Sequence, residues 1–400
     1  MTSLNRRHFI RAASAAALPA LLINCRNAPA DAQRRRADDL HVADFRAPGL
    51  SDRQILERAF EAWTGQGGTL HLEPGHVYDL GVHADGSNVF VVFGLEDAVL
   101  AGNGATLRLH SRGHYVFNIL YLAHYRTLRI ENLRCIDTGY RGIYQAGGRF
   151  IVLDAGQRDS VDVTFDNVAG ERLVSFITAQ GVPGGPRVRG IHIAPSCRAA
   201  QVFYAISCQN NGDDLTGGLS TFNCARSYYP YGVSNHRLAL RIHHQGARHG
   251  PVADIAVPIV SYGRPTSLIR LDVAFSGTLV WGRACVALTH QHAPEDGPSV
   301  IEDIDLNIVI EPGTTAEYDI PRLDFRNYLA DSTPTTGRTA NIWRRIRIGG
   351  QLRPGRAPAI VSRVTPETPP DITILPDTTG ASAAEIDVPT FRINRLRRGG

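Results

Sequence analysis

From about residue 88 onward the chain breaks into short stretches in which apolar and polar residues alternate. A period of two commits each stretch to a β-strand with one buried face. Ten stand out: Val89–Phe93, Ala105–Leu109, Leu128–Leu133, Val161–Phe165, Gly190–Ile193, Leu238–Ile242, Val252–Val257, Leu268–Val273, Ile304–Ile310 and Trp343–Ile348. The residues between them read almost entirely as turns, in a chain with 39 Gly and 23 Pro. Several stretches share one form, apolar-x-apolar followed by Asn or a small residue, as in Ile130-Glu131-Asn132-Leu133, Val163-Thr164-Phe165-Asp166-Asn167-Val168 and Ile304-Asp305-Leu306-Asn307-Ile308. Their spacing fits one or two windings of a coil with rungs of about 20 residues or more. Periodicity alone leaves a β-sandwich or a propeller open.

One segment is helical instead. Ile55, Leu56, Ala59, Phe60 and Trp63 form an apolar stripe over Ser51–Trp63, with Ser51 or Asp52 able to cap it. Gly67-Gly68 then breaks the pattern, Thr69-Leu70-His71-Leu72 alternates, and Glu73-Pro74-Gly75 turns the chain into Val77-Tyr78-Asp79-Leu80. A helix followed at once by short strands predicts a cap on a β structure.

The ends and the charge narrow the setting. Asn5-Arg6-Arg7-His8-Phe9-Ile10 and the mild apolar stretch Ala12 to Ile23 resemble a twin-arginine signal over residues 1–32, which implies export to the periplasm or beyond. Ala28-Pro29-Ala30 and Ala30-Asp31-Ala32 offer cleavage sites; lipidation at Cys25 is the alternative. Cutting after Ala32 removes four arginines and Asp31, so the net charge of +4 falls by three to +1. A mature chain of that charge argues against nucleic acid as a partner. No apolar run reaches the roughly 18 residues of a membrane span. The chain contains no lysine, so all 42 basic residues are arginines and no lysine base or Schiff base is available. Cys135, Cys197, Cys208, Cys224 and Cys285 lack the paired spacings of a zinc site and read as buried thiols.

Val42-Ala43-Asp44-Phe45, Asp52, the helix through Ala59, and Gly67-Gly68-Thr69-Leu70-His71-Leu72-Glu73-Pro74-Gly75-His76-Val77-Tyr78 together resemble the N-terminal cap and first rung of the pectate lyase-like superfamily. Leu100-Ala101-Gly102-Asn103-Gly104-Ala105-Thr106-Leu107 is similar to the rung that follows there. The likeness covers the first quarter of the mature chain and departs at Arg46 and at Arg53-Gln54. It implies an all-β fold, a right-handed parallel β-helix with an N-terminal capping helix, spanning residues 33–400 as a single domain with 353–400 as a C-terminal cap or tail. It also implies a polysaccharide substrate, without fixing a reaction.

The densest polar constellation lies between Asn210 and His249. On a strand over Leu238–Ile242, the residues Leu238, Leu240 and Ile242 face inward while Arg241 and His243 share the outer face. Cleavage beside a uronic acid by β-elimination needs a cation on the carboxylate and a base for the adjacent C–H. Without lysine that base is His, Tyr or a neutral Arg. His243 or His236 would fill it, Tyr231 would serve the leaving oxygen, and Arg226 or Arg241 would hold the carboxylate. Tyr228, Tyr229 and His244 extend the same bed, and Tyr140 and Arg141 would continue it from a neighbouring rung. The competing structural reading makes the tyrosines rung caps and the arginines solvated surface.

Gly212-Asp213-Asp214 is similar to the Gly-Asp-Asp of family 28 polygalacturonases, and Arg241-Ile242-His243 to that family's later Arg-Ile-Lys; its Asn-Thr-Asp and Gly-His-Gly motifs do not appear. This supplies an alternative, an inverting hydrolase using Asp213 or Asp214. The same turn could instead be solvated, or hold Ca2+ with Asn210 and Asn211. His290-Gln291-His292 aligns two imidazoles with no third ligand nearby. The sequence thus predicts an exported β-helix that cleaves an acidic polysaccharide by β-elimination, with hydrolysis or non-catalytic glycan binding as the alternatives.

Overall fold

A computed structural model describes residues 39–395, except 182–183, 262–263, 291–298, 328–340, 354, 356, 363–370, 376, 381–385 and 388–391. The twin-arginine segment, Cys25, Gln291 and His292 therefore lie outside the described residues, which all belong to the unit Ala37–Gly400.

Every described strand pairing is parallel, and each strand pairs with strands one winding before and after it. The chain is thus a parallel β-helix, right-handed as crossover connections between parallel strands are. Two long sheets enclose the core. One contains eleven described strands: Phe90–Phe93, Val116–Ala123, Gly147–Asp154, Ser175–Gln180, Tyr204–Gln209, Arg226–Tyr231, Ile255–Ser261, Ala284–His290, Leu323–Asn327, Ile360–Ser362 and Ile386–Asp387. The other has seventeen, among them Glu96–Ser111, Arg126–Asp137, Ser234–His244, Thr266–Leu279 and Asn341–Gln351. Windings run from 21 residues, Thr216 to Arg237, to 42, Ile304 to Ile346. Strands at Ile360–Ser362, Asp371–Ile374 and Arg392–Arg395 still pair in register, so the region beyond residue 353 adds windings to both sheets.

The seventeen-stranded sheet is where alternation was legible. In Ser234–His244 every second residue from His236 to His244 is buried and those between face outward. Below residue 170 its long strands bend at asparagines in the left-handed region, Asn103, Asn132 and Asn167, with φ of 51°, 52° and 52°. Asparagine tolerates that conformation better than other residues with a side chain. Asn167 also donates its amide to Asn132 Oδ1 at 2.8 Å, and Asn103 donates to the Leu72 carbonyl at 2.9 Å. Asn307, in the third copy of the motif, stays extended and bonds Asp272 on the surface.

The helix α1, Asp52–Gln66, lies over the first windings. Ser51 Oγ accepts from the Gln54 amide while Gln54 Oε1 accepts from the Ser51 amide, a reciprocal capping box. The predicted stripe is buried, with the Phe60 ring 4.9 Å from that of Phe90 and Trp63 Nε1 donating to the Gly68 carbonyl. The four larger ones, Ile55, Leu56, Phe60 and Trp63, at ~1.5–3 kcal/mol each, hold it in place. All five described cysteines are free and buried in the core or just behind it.

A second column of left-handed residues marks the entry to the seventeen-stranded sheet, one per winding: Asp97, Thr127, Asp162, Gly190, Asp214, Asn235, Leu268, Asp303 and Arg345. Short polar residues and Gly suit it; Leu268, at φ 56° and 54 % exposed, does not. Leu268→Gly should raise stability by about 1 kcal/mol in equilibrium denaturation, since the left-handed conformation costs a side-chain residue about 1–2 kcal/mol. Leu271→Ala, three residues on and buried, should lower it by about 2–5 kcal/mol.

Candidate functional site: the outer face of the eleven-stranded sheet

The strands of the eleven-stranded sheet do not alternate. In Arg149–Asp154 the side chains of Phe150, Ile151 and Leu153 join the core, whereas Arg149, Val152 and Asp154 do not, and the next windings repeat this out-in-in-out-in-out order. Two successive inward residues make a local bulge, and bulges re-aim the side chains beside them. Parallel register then stacks the outward positions into three columns. One runs Arg149, Ser175, Tyr204, Arg226; the next Tyr121, Val152, Thr178, Ser207, Tyr229; the third Asp154, Gln180, Gln209, Tyr231.

The windings of Tyr204–Gln209 and Arg226–Tyr231 have the shortest turns, and longer connections, 138–146 and 245–254, belong to windings before and after them. On one flank the Gln201 amide donates to the His249 carbonyl and the Gln245 amide to Asn223 Oδ1, which ties the 245–250 loop to the windings below. Tyr140, Val174, Phe203 and Ala225 make a small apolar cluster behind it, packed by Tyr144 and Tyr204. On the other flank the Arg264 guanidinium donates to Asn211 Oδ1 at 2.7 Å, Asp213 Oδ2 at 2.9 Å and Ser234 Oγ at 3.3 Å, and Asn211 donates to the Gly185 carbonyl. The floor between these flanks is aromatic and cationic. Tyr204 and Tyr229 stack at 5.6 Å with 28° between their planes, and the Arg226 guanidinium sits 5.6 Å and 5.2 Å from their centroids. The Tyr231 ring follows at 6.1 Å from Tyr229. Arg226 is only 8 % exposed, so its charge acts from a low-dielectric position.

Three windings down, Asp154 is fully engaged. Its Oδ2 accepts from the Tyr121 phenol at 2.8 Å and the Gln180 amide at 2.9 Å, and its Oδ1 from the Gly156 amide at 2.8 Å. Burial and the carboxylate hold the Tyr121 phenol well above its ordinary range. Beside them Arg149 is part-buried, its Nε sealed from water without a hydrogen-bond partner, and burial disfavours its charged form.

Of the residues singled out in the sequence, Arg226, Tyr229 and Tyr231 meet on this floor. The others do not join them. Arg241 and His243 do face outward together as predicted, but from the seventeen-stranded sheet, on the other side of the core from Tyr231. There His243 stacks on Phe222 at 5.1 Å and bonds Ser276 Oγ. Tyr228 points into the core and donates to His236 Nδ1, whose Nε2 donates to the Gly212 carbonyl at 2.7 Å. Those two hydrogen bonds fix His236 as a fully buried neutral imidazole, its pKa pushed down by burial to about 4, so it is not the base expected near neutral pH. His244 is likewise buried and pushed down to about 4. Asp213 is clamped by Arg264, and Asp214 takes a left-handed corner where it accepts from the Asn235 amide at 2.6 Å. They share no target, and the turn that could have held Ca2+ is organised by a guanidinium. Tyr140 packs in the apolar cluster and Arg141 is exposed beside it. His290 is buried against Trp343. Tyr204, Arg149, Asp154, Tyr121 and Gln180 are not picked out in the sequence and come together only through the register between windings.

No protein-family model matches the chain, and neither does any curated protein sequence. Solved structures do. The A-module of the mannuronan C-5 epimerase AlgE6 from Azotobacter vinelandii superposes with a TM-score of 0.49 at 12 % identity, over 90 % of this chain and 100 % of that one. The catalytic domain of a GH87 α-1,3-glucanase gives 0.47 at 12 %, over 92 % and 70 %. The tailspike protein of E. coli bacteriophage HK620, in complex with pentasaccharide, gives 0.38 at 13 %, over 85 % of this chain and 66 % of its own length. The likeness is one of fold.

The buried imidazoles carry a pH signature. An unfolded histidine binds its proton near pH ~6.5, the folded His236 only near 4. Between those values the unfolded chain binds more protons, so stability is full above the upper value and falls as pH drops toward the lower. Denaturant midpoints measured across that window should show this slope, and His236→Gln should flatten it; an unchanged slope would mean that His236 is charged or exposed.

Proposed function

We propose that the protein is an exported enzyme that binds an acidic polysaccharide along the outer face of the eleven-stranded sheet and cleaves it by β-elimination. The observation that carries the reading is the Arg226 guanidinium held against Tyr204 and Tyr229 on a groove floor, with Tyr231 in the next column. Guanidinium pairs bidentately with a carboxylate, and its planar face stacks on rings where an ammonium would not. With Arg226 on a uronate carboxylate, negative charge developing next to it is stabilised and the C-5 proton becomes acidic. One of the Tyr229 and Tyr231 phenols, as phenolate, takes that proton; the other donates to the C-4 oxygen as its bond to carbon breaks, leaving a C-4=C-5 double bond. The tyrosine rings also give the sugar faces an apolar surface to lie on.

Hydrolysis is less well supported. Among the described side chains of these strands the outward carboxylates are Asp154 and Asp324, six windings apart. At about 4.8 Å per strand that is roughly 29 Å, against the ~6.5–9.5 Å that an inverting pair requires.

Incubation with uronate-containing polysaccharides should produce the ultraviolet absorbance of unsaturated uronate. Tyr231→Phe and Arg226→Ala should each cut turnover at least ~100-fold, while Arg241→Ala and His243→Ala leave it intact. Reducing ends without the chromophore would favour a hydrolase, and binding without product a glycan-binding protein. Full turnover by Arg226→Ala would remove the site from this face.

A further inference from the structure

Arg149 stands in the same outward column as Arg226, with Ser175 and Tyr204 between them. Three strand spacings put the two guanidinium-bearing positions about 14 Å apart. The intervening windings offer only neutral groups to that face: Ser175 and Thr178, whose hydroxyls bond each other at 2.8 Å, then Ser207 and Gln209, bonded at 3.1 Å, with Gln180 turned to Asp154. The groove therefore reads a cation beside an engaged carboxylate, neutral, neutral, cation along its length.

What sets Arg149 apart is the missing partner. A partly desolvated guanidinium ordinarily finds a carboxylate, and Asp154 lies in its own strand. Yet both Asp154 oxygens are taken, Oδ2 by Tyr121 and Gln180 and Oδ1 by the Gly156 amide, while Arg149 Nε is sealed from water and bonded to nothing among the described residues. The neighbouring carboxylate lowers the Coulomb cost of the guanidinium without occupying its donors, and burial still disfavours the charge. A part-buried guanidinium in an outward column, with its Nε unpartnered and no carboxylate taking its donors, is suited to an anion that arrives from outside.

We infer that Arg149 is a second anion subsite, which holds a carboxylate of the same polysaccharide about three sugar units from the one bound at Arg226. An extended pyranose chain advances by roughly one strand spacing per sugar, so sugars one and four of a bound segment meet the two arginines and sugars two and three meet hydroxyls and amides. The inference rests on the acidic-polysaccharide reading and deepens it: the ligand carries acidic groups at both ends of a four-sugar segment and needs none between.

Oligogalacturonates and oligomannuronates of two to six sugars test this by calorimetric titration, with Tyr231→Phe as the background so that ligand is not consumed. Affinity should rise at least tenfold between three and four sugars. Adding Arg149→Gln should abolish that step while changing trimer affinity by no more than about twofold, and Arg149→Lys, which keeps charge but loses the bidentate fork, should restore part of it. The melting temperature of each variant reports folding, and the lysine variant preserves the test if the glutamine variant is unstable. Binding with no step at four sugars, or a step that survives Arg149→Gln, overturns the subsite and leaves the Arg226 site standing. Absence of binding at every length overturns both.

Discussion

Hydrogen bonding between successive windings governs this molecule, because it decides which residues become neighbours. Each parallel pairing fixes a register, and the register lines up side chains that are 21 to 42 residues apart in sequence. Arg149, Ser175, Tyr204 and Arg226 share a column for that reason alone. A one-residue slip in any winding would send a whole set of outward groups into the core, so the apolar interior on one side of each strand protects the polar face on the other. The left-handed residue at each entry to the seventeen-stranded sheet belongs to the same device, since it resets the chain direction at the same point of every turn.

The alternating segments legible in the sequence belong mostly to the seventeen-stranded sheet, because the strands of that sheet keep a strict order of one residue outward and one inward. Leu128–Leu133, Val161–Phe165, Leu238–Ile242 and Ile304–Ile310 all fall within its strands. The eleven-stranded sheet went unseen apart from Phe90–Phe93 and the shifted segment near Ile255. Strands such as Ser175–Gln180 and Ala284–His290 are buried almost throughout, and the doubled inward residue destroys the period of two. Stretches that read as turns were therefore half of the fold. The Asn motif was legible at Asn132 and Asn167 because the backbone there needs a left-handed residue; at Asn307 an identical local sequence remains extended, and nothing in those few residues marks the difference.

Site residues divide along the same line. The parity that places Arg241 and His243 outward also places His236 and His244 inward, so their burial was already implied by the alternation of Leu238, Leu240 and Ile242. Asp213 could not be read in that way. Its partner Arg264 comes from a loop two windings further on, and the clamp exists only once the coil is closed. Arg226, Tyr229 and Tyr231 were recognisable as a cluster because one strand carries all three, whereas Tyr204, which completes the aromatic floor, is isolated between Phe203 and Ala205.

The depth of the groove follows from turn length more than from the sheet. Windings at Tyr204–Gln209 and Arg226–Tyr231 connect to the opposite sheet by a few residues, while the longer loop 245–254 is braced against them by Gln201 and Asn223. A flat sheet would leave Arg226 solvated, where stacking on tyrosine is worth only about 0.5–1 kcal/mol and an exposed ion pair with a ligand little more. Only 8 % exposed, the same guanidinium has few waters to screen it, and its attraction for an incoming carboxylate grows as the effective dielectric falls. The sheet supplies the spacing of the cations and the loops supply their strength, so lengthening the turns at 201–203 or 223–225 would bury the floor without moving a single strand.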